Sequence, residues 1–275
     1  MEQFTFKSPA KVNFFFRVLK KRSDGFHEIA SLIGAINLFD ILKFTKSDHS
    51  KIICAHTPLD ESNLIFKAIR LFEQKSQINA NVIVEVNKNI PIGGGLGGGS
   101  SNAATTLFAL NQIFKTNFSN NQLIDIASLL GSDVPFFFSL GSSFCTGRGE
   151  ILKPLFNFEL PPFWIANPKI FSSTPLVFQS CKINEVSSQN PNKIIENILD
   201  GEYNFTNDLQ PAALRVNPQL NDYKSNLDEL KFDSLFMTGS GSTFVGINPK
   251  NNESKVEKMG LFKAQLISRN EHTWW

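Results

Sequence analysis

The stretch Pro91-Ile-Gly-Gly-Gly-Leu-Gly-Gly-Gly-Ser-Ser101 places six glycines within seven positions, Gly93 to Gly99. Glycine loses more backbone freedom on ordering than any other residue and offers no side chain to pack. A folded chain keeps such a run where the backbone must turn tightly or approach a ligand. The residues before it, Asn81-Val-Ile-Val-Glu-Val86, read as a strand. After it, Ala103, Leu107, Leu110 and Phe114 recur at helical spacing. A strand, a glycine loop and a helix N-terminus make an anion site, because free N–H groups and the positive end of the helix dipole face one point. Phosphate suits that chemistry. A flexible linker would carry polar flanks, and these flanks are apolar.

Other residues could join such a site. Lys11 and Asn13 stand two apart in an alternating run, so they project from one strand face about 7 Å apart. They could hold a phosphate or a hydroxyl, but by spacing alone they read as a solvent-facing strand surface. Asp133 lies in Gly131-Ser-Asp-Val-Pro-Phe-Phe-Phe138, between a helix stop and an apolar run. It is either a turn-forming Asp or a poised carboxylate, and the local sequence leaves both open. His27 alone reads as an ordinary surface or core residue. Thr238-Gly-Ser-Gly-Ser242 is either a hairpin turn or a place where backbone approaches a ligand.

The elements that must position these groups follow from periodicity. Residues 4–19 alternate as a strand, with Val12, Phe14, Phe16 and Val18 on one face and Lys11, Asn13, Phe15 and Arg17 on the other. Pro9 breaks the run. Asp24-Gly25 signals a hairpin turn, and Phe26-His27-Glu28 opens the return strand. Further strands are expected at Asp40–Thr45 and Lys51–Ala55. Asn63 is placed to cap a helix that buries Leu64, Ala68, Ile69 and Phe72. Two helices follow the glycine loop. One spans about Ser101 to Phe114. The other is capped near Ser119, carries Leu123, Ile124, Ala127 and Leu130, and ends on Gly131 as a C′ glycine. Leu160–Ala166 reads as a strand, and Thr174 as the cap of a helix with Pro175 in its first turn. Pro191–Leu230 is mainly helical. Strands at Phe232–Met237 and Thr243–Ile247, a helix near Glu253–Met259 and a strand near Gln265–Ser268 complete an α+β chain. A composition shift sets a boundary near residue 155, giving a first domain of 1–155 with the glycine loop and a second of 156–275.

The whole chain excludes several classes. It has 275 residues, 41% hydrophobic, with a net charge of only +2. That balance supplies no basic field for nucleic acid. No apolar run approaches the ~20 residues of a membrane span. Cys54, Cys145 and Cys181 are widely spaced without a CxxC, which argues against zinc and a disulfide framework. No secretory signal is visible, since Met-Glu-Gln-Phe-Thr-Phe runs into a strand. The 27 phenylalanines are expected in core packing. The loop is not a Walker motif, because Gly99 is followed by Ser100-Ser101 without lysine. Gly93-x-Gly95-x-x-Gly98 formally fits the dinucleotide template, but two helices follow where a strand ending in an acid is required. His-Arg-Asp and Asp-Phe-Gly, the marks of protein kinases, are missing.

Three separated stretches together resemble the GHMP kinases, which include galactokinase and the homoserine, mevalonate and phosphomevalonate kinases. They are Pro9-Ala-Lys-Val-Asn13, the Pro91–Ser101 loop and Thr238–Ser242. The likeness is closer to those members that act on 4-diphosphocytidyl-2-C-methyl-D-erythritol in the non-mevalonate isoprenoid route. Gly93–Ala104, Arg22-Ser-Asp-Gly-Phe-His-Glu28, Gly131–Phe136, Thr174-Pro-x-x-Phe178 and Asn207-Asp-Leu209 carry it, over nearly the whole chain.

The resemblance implies a two-domain fold. Its N-terminal domain would be ribosomal-protein-S5-domain-2-like and its C-terminal domain a ferredoxin-like α/β sandwich, with the active site between them. It implies ATP-dependent phosphorylation of the acceptor's 2-hydroxyl, with Asp133 as base and Lys11 stabilising charge on the transferring group. Pro91, Ile92, Gly93, Gly94, Gly95, Leu96, Gly97, Gly98, Gly99, Ser100 and Ser101 would wrap the ATP phosphates, and Asn63 and Leu64 would lie near adenine. Phe26 and Phe178 would sandwich the cytosine, His27 would read its edge and Asn13 would hold the methylerythritol end. Thr174, Pro175, Thr238 and Gly239 would complete the acceptor site. Mg2+ would accompany ATP near Ser100 or Ser101 without a side-chain cluster. The small molecule would be the partner, with neither nucleic acid nor membrane. The chain would be a monomer or homodimer in the cytoplasm. Many relatives carry Tyr at Phe26; stacking needs only the ring face, so base binding should survive while a hydroxyl contact is lost. A kinase acting on homoserine or mevalonate, and a non-catalytic nucleotide-binding protein, stay open as alternatives.

Overall fold

A computed structural model describes residues 2–55, 61–156, 158–250, 253–271 and 273–275. Met1, from which the first strand was expected to follow, lies outside the described residues. The chain begins with two long strands, β1 (Gln3–Lys21) and β2 (His27–Lys46), paired antiparallel around the turn at Asp24-Gly25. The Asp40–Thr45 segment is therefore the end of β2 and not a strand of its own. Nor does Pro9 break β1. The register shifts between Pro9 and Ala10, and a bulge absorbs the missing N–H. A second shift between Asn13 and Phe15 turns Phe14 and Phe15 out of simple alternation.

The first half continues with β3 (Lys51–Ile53), α1 (Leu64–Ser76), β4 (Val82–Asn87), α2 (Gly98–Phe114) and α3 (Asn120–Ser128). A 3-10 segment at Pro135–Phe138 then leads to β5 (Ser142–Thr146) and β6 (Ile151–Pro154). Asn63 caps α1 by accepting from the Ile65 N–H, a contact worth about 1 kcal/mol. Ser119 caps α3 in a reciprocal box with Gln122. Two expectations fail here. Helix α2 starts at Gly98, inside the glycine loop and ahead of Ser101. Helix α3 ends at Ser128 with a right-handed Leu129 cap, so Gly131 is not its left-handed C′ residue.

The second half contains β7 (Phe163–Ala166), α4 (Thr174–Gln179), α5 (Pro191–Leu199), α6 (Gln210–Val216) and α7 (Gln219–Asp228). It closes with β8 (Phe232–Met237), β9 (Phe244–Pro249), α8 (Glu253–Lys258) and β10 (Phe262–Ala264). Ser173, not Thr174, is the N-cap of α4, and it makes no side-chain capping bond. The last strand lies three residues earlier than periodicity suggests, and Leu266 beyond it makes only a single bridge, to Ile36.

Among the described residues, β1–β6 form one sheet and β7–β10 form another, antiparallel sheet in the order β10-β7-β9-β8. With helices between β7 and β8 and between β9 and β10, the second sheet has βαββαβ connectivity. One core lies between the first sheet and α1–α3. A second joins the halves, setting Phe14, Leu32 and Ile36 against Phe163, Phe236 and Val245. Phe14 meets Phe158, Phe163 and Phe205 at ring-centroid distances of 5.5–5.6 Å. Much of the phenylalanine content is spent in such packing.

Because β1 lies between these layers, both of its faces are buried, and Lys11, Asn13 and Arg17 are as enclosed as the phenylalanines. The expected solvent-facing side does not exist. The strand edge away from β2 is satisfied instead by loops. The N–H groups of Lys11, Asn13 and Phe16 donate to Leu96 O (3.0 Å), Thr238 Oγ1 (2.8 Å) and Thr206 O (2.9 Å). Thus one strand pins the glycine loop and the second half together, as an unpaired edge must find partners.

Candidate active site

A cleft of about 830 Å³ opens beside this strand edge and reaches residues of both sheets' loops. At its floor the buried Lys11 ammonium donates to Asn13 Oδ1 at 2.5 Å and lies 3.4 Å from Asp133 Oδ2. Asn13 Nδ2 donates to Ser31 Oγ (2.7 Å), and that hydroxyl donates to Phe15 O (2.6 Å). The relay fixes the amide's orientation and with it the lysine's position. Asp133 follows the α3 turn, and its side chain stays 43% exposed to the cleft while Lys11 is 5% exposed. A carboxylate open to a ligand beside an enclosed ammonium can accept a proton and stabilise an anion in the same small volume.

The glycine loop forms the next wall. Pro91, Ile92, Gly93, Gly94, Gly95, Leu96, Gly97, Gly98, Gly99 and Ser100 all line the cleft. Gly97 caps α2 at φ 71°, and a Cβ there would fall 2.8 Å from Lys11 Cγ. Gly95 is equally confined, because its Cβ would stand 2.6 Å from Thr238 O and 2.9 Å from Gly241 O. These two glycines let the loop lie flat against Lys11 and the Thr238–Ser242 segment. The first N–H groups of α2 lack intrahelical acceptors and carry the positive end of its dipole. Asn63 and Leu64, at the start of α1, line the same cleft.

Phe26, His27, Thr174, Pro175, Phe178 and Gly239 line it as well. The His27 ring stacks on Phe178 at 5.2 Å and 30°, while Phe26 is 52% exposed with the Arg148 guanidinium 4.9 Å above its ring. Burial, and secondarily Lys21, lowers the His27 pKa and favours the neutral imidazole. Thr174 Oγ1 lies 2.8 Å from Ser240 Oγ.

Two candidate residues do not reach the cleft. The fully buried Ser101 hydroxyl lies 2.7 Å from Ser8 Oγ, in packing behind the loop. The fully buried Thr238 hydroxyl accepts from the Asn13 N–H, so it braces β1. Ser101 lies within α2 on the side packed against β1, and Thr238 follows β8 directly, where its hydroxyl meets the β1 edge. Burial also raises the pKa of Cys145 and Cys181, which disfavours the thiolate a cysteine nucleophile would need.

The family of GHMP kinases N terminal domains matches residues 63–141. A chloroplastic 4-diphosphocytidyl-2-C-methyl-D-erythritol kinase of Arabidopsis thaliana is 37% identical over 98% of this chain and 75% of that protein. The 4-diphosphocytidyl-2-C-methyl-D-erythritol kinase of Protochlamydia amoebophila is 36% identical over 98% of this chain and 91% of its own. The chain belongs to the 4-diphosphocytidyl-2-C-methyl-D-erythritol kinase family. A crystal structure of 4-(cytidine 5'-diphospho)-2C-methyl-D-erythritol kinase superposes with a TM-score of 0.80 at 30% identity, covering 97% of this chain and 100% of that one. A mevalonate kinase with a TM-score of 0.64 and 13% identity shares the fold alone. The two sheets are thus those of a GHMP kinase, with the expected α+β content.

Within this kinase family's fold, two further residues support the cleft, one unmarked in the sequence and one in a motif without an assigned role. Lys88 lines the cleft at the loop, close to where a Gly98 Cβ would stand (3.1 Å), and it pairs with the buried Asp40. Asp40 also accepts from the N–H groups of Asn89 (2.8 Å) and Ile90 (2.9 Å). Nothing local marks a lone lysine whose partner lies 48 residues away. Asn207 donates to Met237 O (2.6 Å) and Gly239 O (2.7 Å) and accepts from Leu209 N–H (2.8 Å). It belonged to a recognised motif, Asn207-Asp-Leu209, but only the fold shows that it holds the loop containing Gly239.

Proposed function

We propose that this protein transfers the γ-phosphoryl group of ATP to the 2-hydroxyl of 4-diphosphocytidyl-2-C-methyl-D-erythritol, giving the 2-phosphate and ADP. The observation that carries the reading is one cleft holding three chemistries: the α2 N-terminus with its glycine loop, the Lys11–Asp133 pair, and the His27–Phe178 stack beside Phe26.

In this reading ATP lies with its phosphates on the loop and α2, and its adenine toward Asn63 and Leu64. Lys88, paired with Asp40, can offer its ammonium N–H groups to the phosphates beside Gly98. The cytosine lies among Phe26, His27 and Phe178, where a neutral imidazole offers both a donor and an acceptor to the base edge. Asn13, Thr174, Pro175 and Gly239 line the acceptor's path to Lys11. Asp133 accepts the proton of the 2-hydroxyl as its oxygen bonds to the γ-phosphorus, and the bond to the ADP oxygen breaks. Lys11 offsets the charge on the transferring group. Phosphoryl transfer needs this positioning and charge stabilisation more than covalent help.

Magnesium fits the donor set. Among the described residues no three His, Cys, Asp or Glu side chains cluster as ligands. The ion usually keeps waters and substrate phosphates with one or two carboxylates. Ser100, half-buried at the first turn of α2 and lining the cleft, and Asp133 are the protein groups that would hold it; Ser101 is turned inward. Bound there, it would neutralise phosphate charge.

The test is ADP release from ATP with 4-diphosphocytidyl-2-C-methyl-D-erythritol, its uridine analogue, homoserine or mevalonate as acceptor, for wild type and Asp133→Ala. Release with the cytidine compound, lost in the variant, is expected. Equal release with the uridine analogue would overturn the assignment of His27 and its aromatic neighbours. ATP binding without acceptor-dependent release would overturn catalysis itself.

A further inference from the structure

The carbonyls that follow Asp133 are held by residues from the far end of the chain. The 3-10 segment Pro135–Phe138 begins two residues after Asp133, and like any helix it ends in carbonyls without internal partners. Trp275 Nε1 donates to Phe137 O at 3.0 Å. Arg269 donates from Nη2 to Phe138 O (2.6 Å), from Nε to Ser139 O (3.0 Å) and from its backbone N–H to Leu140 O (3.0 Å). Four consecutive carbonyls are thus satisfied by two residues about 130 positions away.

The clamp is itself braced. The Arg269 guanidinium lies over the rings of Trp274 (5.3 Å) and Trp275 (5.6 Å) and donates to Thr273 O at 2.8 Å. Trp274 stacks on Phe108 of α2 at 4.5 Å and 16°. It therefore ties the Asp133 segment to the helix whose N-terminus carries the glycine loop. Phe137 transmits the clamp to the cleft, because a Cβ at Gly97 would lie 3.1 Å from Phe137 Cζ and 2.8 Å from Lys11 Cγ. The held residue thus touches the point where loop, lysine and carboxylate segment converge. None of Arg269, Trp274 and Trp275 lines the cleft.

We propose that Arg269 and Trp275 are positioning residues for phosphoryl transfer, setting Asp133 and Lys11 against the glycine loop through Phe137. This rests on the reading of Lys11 and Asp133 as the reacting pair. Small displacements of such a pair affect the transition state more than ground-state binding.

Trp275→Phe keeps an aromatic ring and removes the Nε1–H donor together with part of the indole's packing surface. Its kcat is expected to fall about tenfold, with the KM of ATP and of acceptor each within about twofold of wild type. Amide exchange should quicken at Val134 and at Phe136–Ser139 and stay unchanged in β7–β10. An unchanged kcat would overturn the proposal. So would a loss of kcat, ATP affinity and melting temperature together, which marks general destabilisation. If Trp275→Phe does not fold, Arg269→Lys serves, because it keeps the cation over the indoles and loses the fork spanning Phe138 O and Ser139 O; the same outcomes decide. A wild type without acceptor-dependent ADP release overturns the kinase reading and this proposal with it. An active wild type with an unaltered variant overturns this proposal alone.

Discussion

Lys11 and Asp133 approach to 3.4 Å from elements 122 positions apart in the chain, and the asymmetry of their exposure suits their proposed work. The enclosed ammonium is held by Asn13 and cannot wander; the open carboxylate can meet a hydroxyl. Asp133→Asn removes the proton acceptor and keeps the shape. Its kcat is expected to fall roughly 10²–10³-fold with the ATP KM little changed, by steady-state kinetics. Retention of most of kcat would limit Asp133 to orienting the hydroxyl. His27 allows a second prediction. Burial and Lys21 lower its pKa, so the neutral, base-reading form persists to lower pH than in free imidazole. The acceptor KM should stay flat down through about pH 6.5, the ordinary imidazole value, and rise only below it. A rise with a midpoint above that value would contradict the role. Lys21→Gln, by removing one cause of the shift, should move the midpoint upward.

The glycine loop and α2 work as one element. The helix begins at Gly98, so its free N–H groups sit within the loop instead of three residues beyond it. Gly97 has the left-handed φ of 71° and presses on the Lys11 stem. Gly97→Val adds a β-branched side chain where left-handed backbone costs about 1–2 kcal/mol per residue. Moving the loop relieves that strain and spoils the phosphate cradle. The ATP Kd is expected to rise about tenfold or more, measured by calorimetry. Unchanged ATP affinity would show that the loop's shape at Gly97 is not needed for binding. Local patterns announced this element well, since the strand, the glycine run and the helical repeat are contiguous. They misplaced the helix start because six glycines carry no periodicity of their own.

At the scale of the molecule, β1 is the seam. Its free edge bonds to the glycine loop, to Thr206 and to Thr238, and Arg17 beside it pairs with Asp208 at 2.8 Å. Asn207 completes the seam from the other side, satisfying three backbone groups. Asn207→Ala leaves Met237 O, Gly239 O and Leu209 N–H unpaired in the interior. At about 1–3 kcal/mol for each orphaned buried group, less relaxation, a loss of about 2–4 kcal/mol is expected from urea unfolding. A loss below about 0.5 kcal/mol would show that water or rearrangement replaces these bonds.

The sequence by itself determined the phosphate-binding character of Pro91–Ser101, most of the helices and strands, and through separated motifs the family. These rest on contiguous chemistry: glycine runs, caps such as Asn63 and Ser119, and apolar periods. It could not show that Lys11, Asn13 and Arg17 are buried, because burial on the second face of β1 comes from a sheet more than 140 residues further on. Nor could it show that Ser101 and Thr238 turn inward, that Asp40 holds Lys88, or that Arg269 and Trp275 clamp the segment after Asp133. Each of those depends on which distant backbone group lacks a partner, and only the packed chain decides how it finds one.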